Sequence, residues 1–187
     1  VGGEYNGVTT GQSLQDDRTP EQLTAEAVEA AKKADYVIFV GGMNKAHHQD
    51  CEDGDRLHYE LPYGQDQLIS ALAAVNNRVI FVSVSGNAHG MPWVNEVEAI
   101  LQAWYSGSET GHAVADIIFG DVNPSGKMPY TIQPTLADYP AHQYGEIAYP
   151  GVDKQVHYME DIFVGYRYAD LYGRRRPIKY EAQGVRY

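Results

Sequence analysis

Within ten residues, His47-His48-Gln49-Asp50-Cys51-Glu52-Asp53-Gly54-Asp55-Arg56, the chain collects four carboxylates, two imidazoles, a thiol and a guanidinium. Carboxylates at this density suit acid/base chemistry, in which one group moves a proton and its neighbours set its affinity for that proton. The cluster directly follows the apolar run Tyr36-Val37-Ile38-Phe39-Val40-Gly41-Gly42, which reads as a strand. In an open α/β sheet, ligands bind in loops outside the carboxyl ends of the strands, so the cluster lies where a site is expected. A solvated, charge-rich loop is the alternative for an isolated acidic cluster.

The other residues of this loop have competing roles. His47, His48, Asp50 and Cys51 are zinc-ligand types, but adjacent side chains do not all converge on one ion and the spacing fits no standard zinc pattern; no metal or other cofactor is expected. Arg56, beside Asp55, either touches a substrate or organises the loop by bidentate pairing with carboxylates. Cys51 is the one cysteine of the chain, which excludes an internal disulfide. Trp93 is a candidate stacking surface for a sugar ring, whereas Trp104 closes an apolar run and reads as packing.

The elements that position the loop alternate between helix and strand. Thr19-Pro20-Glu21-Gln22 predicts a helix start, with a capping Thr, Pro at the first helical position and Gln three residues after the cap. Leu23, Ala27, Ala30, Ala31 and Ala34 continue at helical spacing to Asp35. A second helix is expected over roughly 63–75, with Leu68, Ile69, Leu72 and Ala73 on one face. Val79-Ile80-Phe81-Val82-Ser83-Val84 is almost wholly apolar, as strands buried on both faces of a parallel sheet are. Ala99–Trp104 predicts a third strand. Ser106-Gly107-Ser108-Glu109 offers a capping box for a helix running to about Phe119, with Gly120 as its stop. Beyond Gly120 regularity fades: Asn123–Pro129 is turn chemistry, 133–158 is irregular, and Phe163–Tyr168 predicts a last extended piece. The fold class expected is α/β, a three-layer sandwich around a mainly parallel sheet of flavodoxin-like architecture. Residues 1–18 are expected to be irregular, 19–132 to form the sandwich core, and 133–187 to wrap it as an irregular extension.

Composition narrows the partners. The 187 residues carry a formal net charge of −11, which opposes nucleic acid and anionic membrane as main partners. No run approaches the ~20 apolar residues of a membrane span. A neutral ligand fits better, and the 15 tyrosines suit either an amphipathic ligand such as a sugar or a domain interface. There is no phosphate-binding Gly-x-x-x-x-Gly-Lys-Ser/Thr pattern, which leaves a flavodoxin-like nucleotide or flavin function with architecture alone. Arg174-Arg175-Arg176 reads as a local salt-bridging patch.

Glu52-Asp53-Gly54-Asp55-Arg56, followed by Leu61-Pro62, Gln65 and Leu68-Ile69, resembles the carboxy-terminal α/β-sandwich domain of glycoside hydrolase family 3, which includes β-glucosidases and β-xylosidases. Further stretches match in the same order: Ser85-Gly86 with Met91-Pro92-Trp93, Ala103-Trp104-Tyr105-Ser106-Gly107 with Glu109 and Gly111, Phe119-Gly120-Asp121, Asn123–Pro129, and Tyr158 with Glu160 and Phe163–Tyr168. The resemblance is nearly continuous from about Ala25 to Tyr168. Two stretches depart from it. The chain opens Val1-Gly2-Gly3-Glu4-Tyr5-Asn6-Gly7 where the family has an apolar first strand, and Arg174–Tyr180 does not match the family's continuation.

The resemblance implies a retaining mechanism on β-linked oligosaccharides or glycosides, with the nucleophilic aspartate on a preceding (β/α)8 barrel domain. That barrel takes ~250 residues and has no counterpart here, so a piece of a larger enzyme, periplasmic or secreted, is expected. Aligning the loop on Asp55-Arg56 puts Glu52 at the acid/base position; Asp55, Arg56 and Trp93 are the candidate substrate contacts. Asp50, Asp53 and Asp55 can repel the charged form of Glu52, and domain closure can bury it. In the chain alone Glu52 is expected to behave as an ordinary exposed glutamate. The alternative is a stand-alone, non-catalytic sugar-binding or assembly module of the same fold. A fragment should leave open the face that met the barrel, with tyrosines among Tyr59, Tyr63, Tyr139, Tyr144 and Tyr149. It should then self-associate there or show a mobile acidic loop. A rigid loop held by its own side chains points to the module.

Overall fold

The structure is a computed structural model that describes residues 17–172 apart from Ala46, His47 and Asp53. The opening Val1–Gly7 stretch, the His47 imidazole, the Asp53 carboxylate and the Arg174–Arg176 patch lie outside the described residues. Helix α1 (Pro20–Ala31) begins with the full capping box: Gln22 N–H donates to Thr19 Oγ1 at 3.3 Å and Thr19 N–H to Gln22 Oε1 at 2.8 Å. Pro20 takes the first helical position, where its missing N–H leaves no bond unmade. The helix ends at Ala31, before Asp35, and Asn76 Nδ2 donates to the freed Ala31 and Ala34 carbonyls at 2.9 Å each.

Three strands, β1 (Val37–Gly42), β2 (Val79–Val84) and β3 (Ala99–Gln102), pair in parallel in the order β1-β2-β3. Val37 lies opposite Val79 and Ile80 opposite Ala99. All three expected strands are present and parallel. Strand β3 stops at Gln102 rather than Trp104, because the chain turns sharply at Trp104, whose φ of 56° is left-handed. The β1–β2 crossover carries a single 3₁₀ turn (Pro62–Gly64) and helix α2 (Gln65–Ala73).

Helices α1 and α2 cover one face of the sheet. Ala31, Leu72 and Val79 form the buried centre there, and Val28, Val37, Phe39 and Leu68 pack against it. On the opposite face Val82 is fully buried, whereas Ile38 and Val40 on the edge strand are 43% and 64% exposed. The centre of the sheet is therefore covered on both sides and the edge strand on one.

Helix α3 (Thr110–Ile118) follows β3 and ends at Gly120, whose φ of 84° makes the expected left-handed stop. Its start corrects the capping box read from Ser106 and Glu109. After the Trp104 turn, Ser106 Oγ points back and donates to Ala103 O at 2.6 Å, so Glu109 is the N-cap and makes no side-chain cap.

The chain divides into two compact units between Pro124 and Ser125, inside the stretch read as turn chemistry. In the second unit, a 3₁₀ turn (Leu136–Asp138) is capped by Thr135 and runs into α4 (Pro140–Gln143). Hydroxyls brace its irregular backbone: Gln133 N–H donates to Tyr139 Oη at 3.1 Å and Tyr168 Oη to Gln143 Oε1 at 2.5 Å. The extended piece expected over Phe163–Tyr168 is corrected. Gly165, at φ 61°, turns the chain into helix α5 (Tyr166–Tyr172), which buries Tyr168 and Ala169.

Candidate functional site

The acidic loop leaves β1 at Gly42 and re-enters regular structure at Pro62, and its two ends are stitched together. Gln65 Oε1 accepts from Gly42 N–H at 2.8 Å, while Gln65 Nε2 donates to Gly42 O at 2.8 Å and Pro62 O at 3.0 Å. Gly42 must be glycine here. Its φ is 130°, and a Cβ would lie 2.1 Å from Val84 O. Asp66, at the first turn of α2, holds the other end: Leu61 N–H donates to its Oδ2 at 3.2 Å and Trp93 Nε1 to its Oδ1 at 2.7 Å.

Between these ends lies a tight turn closed by an antiparallel bridge from Cys51 to Gly54, with Glu52 exposed at its corner. Each arm of the turn is tied to the loops beyond the sheet. On the incoming arm, Asp50 Oδ2 accepts from Gly86 N–H at 2.7 Å, after β2, and from Tyr105 Oη at 2.8 Å, after β3. On the outgoing arm, Arg56 Nη2 donates to Ala88 O at 2.5 Å and Arg56 Nη1 to Met43 Sδ at 3.1 Å. Across the turn, His48 Nδ1 and Asp55 O are 2.9 Å apart. The acidic cluster thus sits beyond the carboxyl ends of all three strands.

The loop beyond β2 is itself fixed from below. Ser83 Oγ lies 2.9 Å from His89 Nε2 and 3.3 Å from Ser85 Oγ, and Gln102 Nε2 donates to Ser85 O at 3.0 Å. Ser83, Ser85 and His89 have no exposed surface, so this Ser–His pair is sealed from any substrate and serves as scaffold. Burial pushes the His89 pKa down; the Gly90 carbonyl and the Asp66 and Asp50 charges oppose the shift, and Arg56 reinforces it. Burial also pushes the Tyr105 hydroxyl pKa up, and the bond to the Asp50 carboxylate adds to it.

The candidate residues separate. Glu52, Asp55 and Arg56 share one loop, with Glu52 and Asp55 exposed and Arg56 half-buried. Arg56 ties the loop to the Ala88 carbonyl and the Met43 sulfur, in place of the bidentate carboxylate pairing expected of an organising role. It also lines an open cleft of about 280 Å³ with Gln49, His58, Glu60 and Tyr63, at the small end for a ligand site. The expectation that Trp93 stacks on a sugar is corrected. It is 0% exposed, meets Phe81 edge-on at 4.6 Å between ring centres, and has its one donor committed to Asp66. Tyr59 is also buried, unlike Tyr63, Tyr144 and Tyr149, which are exposed. Among the described residues, no group of three or more His, Cys, Asp or Glu side chains is arranged to hold a metal ion.

Sequence reasoning missed the joining role of Asp50 and Tyr105 and the Ser83–Ser85–His89–Gln102 network. Ser83 was the available signal, since a hydroxyl in an apolar central strand requires a buried partner.

The sequence matches the family model described as glycosyl hydrolase family 3 C-terminal domain over residues 3–166. It is 55% identical over 152 residues to a β-glucosidase of Bacteroides ovatus, a match covering 81% of this chain and 20% of that protein. With thermostable β-glucosidase B of Acetivibrio thermocellus it shares 37% identity over 163 residues, 87% of this chain and 21% of the relative. Among solved structures, a Kluyveromyces marxianus β-glucosidase in complex with glucose superposes with a TM-score of 0.78 at 31% identity, covering 92% of this chain and 20% of that one. A Streptomyces venezuelae β-glucosidase in complex with D-glucose gives 0.77 at 35% identity, covering 90% and 21%. The chain spans about a fifth of the length of these relatives.

Proposed function

The chain belongs to the glycosyl hydrolase family 3 C-terminal domain family, and on that premise we propose that its acidic loop supplies Glu52 as the general acid/base of a retaining β-glucosidase. The observation that carries this reading is the mounting of Glu52. It is an exposed carboxylate at the corner of a tight turn, with both arms of the turn bonded to the loops beyond the strand ends. A proton donor must reach the departing glycosidic oxygen and then deprotonate a water at the same place, which needs a carboxyl group on a fixed support.

Retaining hydrolysis needs a second carboxylate about 5–5.5 Å away as nucleophile. In this proposal it comes from a separate barrel domain that closes over the loop. Asp55 and the cleft beside Arg56 then border the path of the departing group, and the substrate class is a β-linked glucoside.

The test is made on the full-length protein that carries this sequence. Glu52→Gln should lower kcat/KM by about 10²–10⁴-fold on an alkyl β-glucoside, whose leaving group needs the proton. On a dinitrophenyl β-glucoside, which leaves unaided, kcat/KM should be nearly unchanged, and azide should accelerate turnover by replacing the base-activated water. Equal losses on both substrates, or no loss, would rule out Glu52 as the acid/base.

A second reading has one observation in its favour: the loop is held by the chain's own side chains, as in a stand-alone sugar-binding module. Titration of the 187-residue chain with glucose, followed by NMR, separates the two. Saturable shifts in the loop at millimolar glucose favour the module, and their absence favours the enzyme domain.

A further inference from the structure

Asp50 stands two residues before Glu52, yet the two carboxylates face different surroundings. Glu52 points to solvent, while a single oxygen of Asp50 accepts hydrogen bonds from two loops that follow two different strands. Gly86 N–H is a backbone donor held by the Ser85 and His89 network below it. Tyr105 Oη reaches Asp50 because the left-handed turn at Trp104 redirects the chain after β3. Asp50 is thus the point where all three strand-end loops meet, on the incoming arm of the turn that carries Glu52.

We infer that Asp50 is a positioning residue for the reaction, fixing the Glu52 turn against the loops after β2 and β3 so that the acid/base carboxyl keeps its place through both proton transfers. This rests on the reading of Glu52 as the acid/base. Asp50 itself exchanges no proton with the substrate; its bonds to Gly86 and Tyr105 persist throughout. A hydrogen-bond acceptor at this position is what matters, so an amide oxygen should serve where a methyl group cannot.

The experiment uses the full-length protein in which Glu52→Gln has shown its leaving-group dependence, so that failure of the underlying reading is seen first and separately. Asp50→Ala should lower kcat/KM on an alkyl β-glucoside by about 10- to 100-fold, the loss typical of a small misplacement of a reacting group. On the dinitrophenyl glucoside it should change little, and Asp50→Asn should recover most of the loss. In the double variant Asp50→Ala/Glu52→Gln, the loss should be no greater than with Glu52→Gln alone, because a positioning residue has nothing left to position. If Asp50→Ala slows both substrates equally, or its loss multiplies with that of Glu52→Gln, the positioning role is overturned while Glu52 keeps its own. Should Asp50→Ala not fold, Tyr105→Phe removes one of the two donors and must show the same leaving-group dependence at smaller size; an equal effect on both substrates would again overturn the inference.

Discussion

Replacing Asp66 by Asn tests how the far end of the acidic loop is anchored. The carboxylate is 8% exposed, and each oxygen has one donor, Trp93 Nε1 at 2.7 Å and Leu61 N–H at 3.2 Å. An asparagine has the same shape but one acceptor oxygen, so its NH₂ must face an N–H whichever way it is turned. One of the two bonds is lost and a buried donor is left unpaired, at a cost of about 2 kcal/mol. Asp66→Ala loses both bonds and should cost about 3–5 kcal/mol. With a urea slope of roughly 1–3 kcal/mol/M, the Asn variant should lower the unfolding midpoint by about 1 M. Tryptophan fluorescence is a suitable probe, because both tryptophans, Trp93 and Trp104, lie in the first unit. An unchanged midpoint, within about 0.3 M at equal slope, would mean that the acceptors are dispensable and the anchoring argument is wrong.

Four further outcomes are expected. Gly42→Ala should cost more than about 3 kcal/mol, because its Cβ collides with Val84 O, whereas Gly111→Ala, in open space within α3, should gain up to about 1 kcal/mol; thermal melts of the two should move in opposite directions. The folded-state pKa of His89 lies below its ordinary value, so the folded state binds its proton later than the unfolded chain. Stability should therefore fall as pH drops below about 6.5 and level off only below the depressed value, and His89→Gln should flatten that part of the urea-midpoint profile. The 187-residue chain alone should not hydrolyse aryl β-glycosides; robust turnover abolished by Glu52→Gln would contradict the need for a second domain. Light scattering should show self-association of the chain through the exposed Ile38 and Val40 edge, and Val40→Lys should reduce it.

What was legible in the sequence is local or periodic. The apolar runs beginning at Tyr36, Val79 and Ala99 gave the parallel strands, Thr19 and Gln22 the first capping box, and Gly120 the end of α3. The same reasoning failed where a distant partner decides. Ser106 had a plausible capping partner three residues on, but the Trp104 turn aimed it at Ala103 instead. Phe163–Tyr168 has the aromatic and β-branched content of a strand, yet Gly165 turns it into a helix. Trp93 looked available as a sugar platform because nothing local reveals Asp66, 27 residues away, as the acceptor for its N–H. Asp50 was read as one charge among several. Its bond to Tyr105 spans 55 residues, and only the sheet brings the two together.

The parallel register also bears on the order of folding. Val37 pairs with Val79 and Ile80 with Ala99, so joining β1 to β2 closes a loop about twice as long as joining β2 to β3. Each doubling of loop length adds about 0.6 kcal/mol of closure entropy, which favours β2–β3 as the earlier pair. The acidic loop lies wholly within the longer closure, and Asp50 needs the loops beyond both β2 and β3 already in place before it can make its two bonds. The turn that carries Glu52 is therefore expected to be among the last parts of the first unit to form. Pulse-labelled hydrogen exchange should protect the Leu101 and Ala103 amides before those of Val37–Met43, and the reverse order would refute this sequence of events. A newly made chain would then hold a structured sheet before it holds an ordered acidic loop.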